Sequence, residues 1–269
     1  MKRILNYPGS KWRLASWIID HMPEHNTYLE PFFGSGAVFF NKQKSAVETI
    51  NDIDGRIVNL FQVMRDQPQE LARVVLNTPY ARNEYDLSLV SAGEPLEDAR
   101  RMMVRCWFAI GGKTSSKSGF RKLISDNGPY VVQDWNKMPN AIIEAGARLK
   151  GAQIEKLDAL DLIQQHNRAD VLIYADPPYL NETRSSKHYK NEYTDQNHSD
   201  LLDVLLDHQG PVILSGYDSE MYKKALKDWT IECKGVNALN GSKRTEILFI
   251  NPIAAQYTNQ LNLFETESK

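Results

Sequence analysis

Two cysteines in 269 residues, Cys106 and Cys233, are too few and too far apart for a disulfide framework or a Cys-x-x-Cys zinc site. They point to a reducing compartment. No set of histidines, cysteines and carboxylates has metal-ligand spacing, so no metal is expected. No apolar run approaches the length of a membrane span, and the basic N-terminus runs straight into Asn6-Tyr7-Pro8-Gly9 without an apolar signal region. The expected location is the cytoplasm, with no membrane partner. The net charge of -2 excludes a polycation, so any contact with nucleic acid has to come from a local basic face. Repeats and low-complexity blocks are also missing.

What is present is the composition of an ordinary globular protein, 42% hydrophobic and 25% charged, long enough to bury one substantial core. Short apolar runs end in loop chemistry, as strands of a mostly parallel sheet do: Thr27 to Leu29, Val47 to Ile50, Val171 to Ala175 and Pro211 to Leu214. Glu246 to Ile250 reads as a late strand. Helical patterns lie between them at Leu14 to His21, Ala37 to Asn41, Ile57 to Met64, Leu201 to His208 and Glu220 to Lys227. This alternation predicts an α/β doubly wound domain whose ligands sit at the carboxyl ends of the strands. Residues 65–150 break the rhythm and read as an inserted subdomain, which leaves 1–64 and 151–253 for the main domain and 254–269 as a polar, mobile tail.

Glu30-Pro31-Phe32-Phe33-Gly34-Ser35-Gly36 follows a strand and is expected to open a helix. Its glycines let backbone approach a ligand, although a purely structural turn fits as well. The next strand ends in Asn51-Asp52-Ile53-Asp54, about 20 residues on, where an acid suits ribose hydroxyls. Asp52 and Asp54 can equally cap the helix that follows. In Asp176-Pro177-Pro178-Tyr179 two prolines stiffen a strand exit and fix the directions of the Asp176 carboxylate and the Pro177 carbonyl, beside a flat tyrosine face. From Arg100 to Lys122 the chain carries seven basic residues and no acidic one, a candidate DNA face, or else a solvated helix. The lysines between Lys223 and Lys227 read as plain surface, and His198 as part of a helix start.

Taken together and in order, Tyr7-Pro8-Gly9-Ser10-Lys11, Glu30 to Gly36 and Asp176 to Tyr179 resemble the cofactor and catalytic motifs of the Dam-type (D12 class, alpha group) adenine-N6 DNA methyltransferases over nearly the whole chain. Ser215-Gly216-Tyr217 and Lys243-Arg244-Thr245-Glu246 add to the likeness. The resemblance implies a Rossmann-like S-adenosylmethionine-dependent methyltransferase sheet with a mainly helical insertion that recognises double-stranded DNA. It implies that Tyr7, Lys11, Glu30, Phe32, Gly34, Ser35 and Gly36 hold the cofactor's methionine end, Asp52 its ribose and Ile53 its adenine. Asp158 lies either near that adenine or at a helix N-cap. DNA contacts are expected from Lys113, Lys117, Arg121 and Lys122 in the insertion, and from Thr183, Arg184 and Lys187 in a loop closing over the target. The location becomes cytoplasmic and nucleoid-associated. The segment Arg105 to Lys113 departs from the pattern of GATC-specific members, which leaves the target sequence open.

The implied chemistry is mostly placement. The exocyclic nitrogen of adenine is a poor nucleophile, and Asp176 with the Pro177 carbonyl can accept its two hydrogens while Tyr179 stacks on a base flipped out of the duplex. A cytosine-N4 enzyme would more often carry serine at position 176, and a protein-glutamine methyltransferase asparagine. A DNA-binding module without activity has no need of an intact motif. Separately, Gln260-Leu261-Asn262-Leu263-Phe264 resembles the QLxLF peptide by which bacterial polymerases and repair proteins dock on the DNA sliding clamp. Gln260, Leu261, Leu263 and Phe264 are its expected contacts, unless the leucines fold back on the domain.

Overall fold

The computed structural model describes residues 1–112, 114, 117–124, 131–178, 193–216, 218–237 and 243–256, with backbone alone for 236, 237, 243 and 244. Seven strands form one sheet: β1 (Thr27–Glu30), β2 (Val47–Asn51), β3 (Ala152–Glu155), β4 (Val171–Ala175), β5 (Val212–Gly216), β6 (Thr230–Asn237) and β7 (Lys243–Ile250). Their order is β3-β2-β1-β4-β5-β7-β6. The first five run parallel, and β7 enters antiparallel to β5 with β6 antiparallel at its edge. Strand order reverses between β1 and β4, and the two loops that leave these strands line one cleft.

The period of two along each strand divides the core. Tyr28, Leu172, Tyr174, Ile213 and Leu248 pack on one face, Leu29, Ile173, Leu214, Ile247 and Phe249 on the other. The first face is covered by α1 (Ala15–Ile19), α2 (Gly55–Asp66) and helices of the insertion, the second by α8 (Ala159–Gln165), α9 (Asp195–Leu206) and α10 (Glu220–Ala225). Between α2 and β3 lie α3 (Pro68–Leu76), α4 (Arg82–Leu87), α5 (Pro95–Phe108), α6 (Val131–Trp135) and α7 (Met138–Leu149). This is the Rossmann-like architecture with an inserted helical segment that the sequence suggests.

Several expectations change. Residues 37–41 form turns rather than a helix, with Ala37, Val38, Phe39 and Phe40 all buried under the cleft loop. Strands β3 and β6 were not anticipated. The tail begins later than residue 254, because 252–256 are helical and Ala254 is fully buried against the core. No helix among the described residues is long and apolar enough to cross a membrane, and no cluster of metal-ligating side chains occurs among them.

Candidate active site

The loop after β1 needs its glycines. Gly34 and Gly36 have φ of 49° and 63°, in the left-handed region. A Cβ on Gly36 would lie 2.4 Å from the Phe33 ring. The curled loop is pinned from β2: Phe33 N donates to Asn51 O at 2.8 Å and Gly34 N to Asp52 Oδ2 at 2.9 Å. Asp52 also accepts from Asp54 N at 2.9 Å. Burial pushes its carboxyl up to about 6, against the pull of these two amides. The cap expected of this pair is Asp54, which accepts from Arg56 N at the start of α2. Asp158 is the N-cap of α8 and also lines the cleft.

Two carboxylates flank one lysine at the floor, and a third, Glu30, lies beside Asp176. Lys11, 5% exposed, places Nζ 2.9 Å from Asp176 Oδ1 and 3.8 Å from Glu246 Oε2, and donates to Gly9 O. Glu30, 2% exposed, accepts from Tyr28 Oη at 2.7 Å. Burial pushes Glu30 up to about 8, the Tyr28 hydrogen bond opposes that rise, and the neighbouring Asp176 adds to it. Tyr174, beneath the site, bonds Ser215 Oγ at 3.0 Å. Ser10 and Ser35 join the N-terminal turn to the glycine loop through hydroxyls 2.8 Å apart.

The cleft encloses about 340 Å³. Of the expected cofactor residues, Tyr7, Lys11, Glu30, Phe32, Gly34, Ser35, Asp52, Ile53 and Asp158 line it, and Gly36 shapes the loop behind. Asp176 and Pro178 line it from β4; Pro177 is buried at the same strand exit. Ile53 stands half-exposed on the rim and Phe32 meets Tyr193 edge-on at 5.6 Å. His198 sits in the first turns of α9, buried, with Nδ1 2.8 Å from Tyr222 Oη.

Sequence reasoning passed over Asn51 as a ligand of the fold itself. Its side chain, 2% exposed, donates to Pro31 O and Leu157 O and accepts from Leu157 N. It thereby ties together the loops after β1 and β3. Its place at the end of a strand, before Asp52, is the available signal. Tyr28 could have been found from its alternation with Glu30 along β1.

The expected DNA residues fare unevenly. Arg100 and Arg101 are held by Glu84 and Glu97 inside the insertion, and Arg105 is buried against Tyr85, so the first half of the basic run is structural. Lys117 pairs with Asp86 at 3.0 Å on the surface. Arg121 and Lys122 are accessible to solvent. Tyr179, Lys113, Thr183, Arg184 and Lys187 lie outside the described residues, as do Gln260, Leu261, Leu263 and Phe264.

A family model for the D12 class N6 adenine-specific DNA methyltransferase matches residues 7–247. The type II methyltransferase M1.LlaDCHI of Lactococcus lactis subsp. cremoris is 28% identical over 281 aligned residues, which cover 93% of this chain and 95% of that protein. The DNA adenine methylase of Escherichia coli K12 is 22% identical, with 91% and 92% covered. The solved structure of precorrin 8w decarboxylase from Methanobacterium thermoautotrophicum gives a TM-score of 0.37 at 9% identity, covering 88% of each chain. The family match takes in the N-terminal turn, the glycine loop, the insertion and the β4 exit, and the chain belongs to the D12 class of N6 adenine-specific DNA methyltransferases.

Proposed function

We propose that the cleft binds S-adenosylmethionine and that the chain transfers its methyl group to an adenine flipped out of duplex DNA. The observation that carries this reading is Asp176 at the carboxyl end of β4, held by Lys11 in the wall that the glycine loop completes. The donor set fits a compact cation with an apolar end. Glu30, Asp52, Asp158 and Asp176 line the cleft with one lysine, while Phe32, Ile53 and Leu160 supply apolar walls. When bound, the cofactor supplies an already activated methyl group. The protein's part is therefore placement and electrostatics.

Asp176 accepts from the target amine, and the Pro177 carbonyl, fixed by the rigid strand exit, accepts its second hydrogen. Withdrawing both hydrogens from the ring plane frees the nitrogen lone pair. Lys11 orients Asp176, and Glu246 adds a second, longer contact to the lysine. An adenine inside the stack cannot reach this floor, which is why the base has to flip. Tyr179 provides the stacking face, and Thr183, Arg184 and Lys187 serve phosphates in the loop that follows. Arg121 and Lys122 contact DNA from the insertion, with Lys113 and Lys117 beside them. Residues 260–264 dock on a sliding clamp.

Asp176→Ala should reduce single-turnover methylation by at least about 100-fold, the scale of removing one positioned transition-state partner. Calorimetric cofactor affinity should stay close to that of the parent, because Glu246 remains to hold Lys11. A variant with parental turnover removes Asp176 from the chemistry.

A further inference from the structure

Most described arginines of this protein hold a carboxylate. Arg56, Arg65, Arg73, Arg100, Arg101 and Arg148 each do so within 3.1 Å. Arg82 instead lies over the Phe120 ring, and Arg3, Arg13 and Arg121 have neither an ion pair nor a side-chain hydrogen bond among the described residues. Far apart in sequence, they are brought together by the backbone. Trp107 Nε1 donates to Ile4 O at 2.9 Å, and the next residue, Phe108, accepts from Arg121 N at 2.6 Å. Arg3 and Arg121 thus flank one short bridge between the N-terminal segment and the end of α5. From there the segment passes Gly112, whose own φ is +65° and whose Cβ, if present, would lie 2.2 Å from Asn6 O. It lays Tyr7 and Ser10 on the glycine loop, places Lys11 at Asp176, and turns back through Leu14 N to Lys11 O. The return brings the Arg13 charge near enough to Arg3 for the two to repel.

Like charges gathered at one bridge without an ion-pair partner work against folding, and the half-buried Arg3 also loses hydration. Burial depresses the Arg3 guanidinium below its ordinary value, Arg13 and Arg121 add to the depression, and Asp134 opposes it. Such a conflict between local electrostatics and stability marks a site whose counter-charge comes from outside. Planar guanidiniums match phosphate oxygens, and this chain's substrate is DNA.

We propose that Arg3, Arg13 and Arg121 form a phosphate-binding site for the DNA backbone that spans the N-terminal segment and the insertion. Bound there, the duplex fastens the recognition insertion to the strip of chain that lines the methylation cleft. The proposal rests on the enzyme acting on duplex DNA and says which side chains grip it. It adds Arg3 and Arg13, which no basic run in the sequence reveals.

The test uses the full chain and a short duplex, with affinity followed by fluorescence anisotropy across a salt series. Arg3→Gln with Arg13→Gln should weaken binding at least about tenfold at low salt and flatten the salt slope by about 0.9 for each phosphate that is no longer neutralised. The corresponding lysine variants should recover most of the slope. Asp134→Asn, which removes the opposing carboxylate, should tighten binding, a gain that loss of structure cannot mimic. Calorimetric cofactor titration reports that the variants are folded. Folded glutamine variants with parental affinity and slope would overturn the site while leaving DNA methylation intact. A parent enzyme without salt-dependent duplex binding would instead overturn the DNA-acting reading itself.

Discussion

At the scale of single residues, the active-site floor is built at a cost to stability. Glu30 has its carboxyl raised from 4.5 to about 8 and Asp52 from 3.8 to about 6, both chiefly by burial. A raised carboxyl binds its proton more tightly in the folded chain than in the unfolded one. The contribution of these two groups to folding stability is therefore greatest below the unfolded values and falls as pH rises toward the folded ones, levelling off above about 8. Glu30→Gln keeps an acceptor for Tyr28 and removes the titration. Its urea midpoint should decline less between pH 5.5 and 8.5 than the parent's. Parallel pH profiles for the two proteins would show that Glu30 is not the proton-binding group. The same floor explains the pairing of Lys11 with Asp176: the lysine offsets part of the repulsion among the acids. The turns that line the cleft were legible because proline fixes φ while glycine alone readily takes the positive φ seen at Gly34 and Gly36. What the sequence could not convey was distance, so Tyr28, Asn51 and Glu246 entered the site only through the fold.

At the scale of elements, the insertion meets the N-terminal segment through glycine. Gly111 and Gly112 have nearly the same backbone, φ +70° and +65°, yet a Cβ on Gly111 finds nothing within 4 Å while one on Gly112 strikes Asn6 O. Gly111→Ala should cost roughly 1–2 kcal/mol, the penalty of a left-handed residue with a side chain. Gly112→Ala should cost clearly more by urea unfolding, and it should also weaken DNA binding by parting Arg3 from Arg121. Equal costs for the two would mean that the close approach carries no weight. Elements with a strong period were readable, since α2, α9 and the five strands β1, β2, β4, β5 and β7 all lie where apolar patterning put them. The failures have physical causes. Strand β3 is short and only its first residue is fully buried, and β6 is an edge strand with an exposed, charged face, so neither has an apolar run. The basic run of α5 misled because charge along a sequence does not show its partners. Glu84 and Glu97, which neutralise Arg100 and Arg101, come from the preceding helix and from one turn earlier on α5 itself.

At the scale of the whole molecule, one sheet sets the geometry of catalysis while segments at its margins set access to DNA. The reversal between β1 and β4 places the glycine loop and Asp176 in a single cleft, and the N-terminal strip that lines this cleft also meets the insertion through Ile4 and Asn6. Nothing in that plan requires Gln260 to Phe264, which follow the described helical turn at 252–256 and lie outside the described residues. Their resemblance to a clamp-docking peptide supports a role separate from catalysis. In the proposed role Leu261, Leu263 and Phe264 would be apolar anchors for a pocket, and Gln260 would hydrogen-bond at its edge. Tethering to a clamp would raise the enzyme's concentration on newly replicated DNA, where unmethylated sites arise, without any new contact at the cleft. Leu263→Ala with Phe264→Ala should therefore leave methylation of short oligonucleotides unchanged and abolish saturable binding to a purified sliding clamp, read by surface plasmon resonance. On DNA loaded with clamps, the same variant should lose the advantage that the parent shows over clamp-free DNA. If the parent itself does not bind the clamp, the motif is a chance match. If the variant loses activity on short DNA, these side chains pack on the catalytic domain instead.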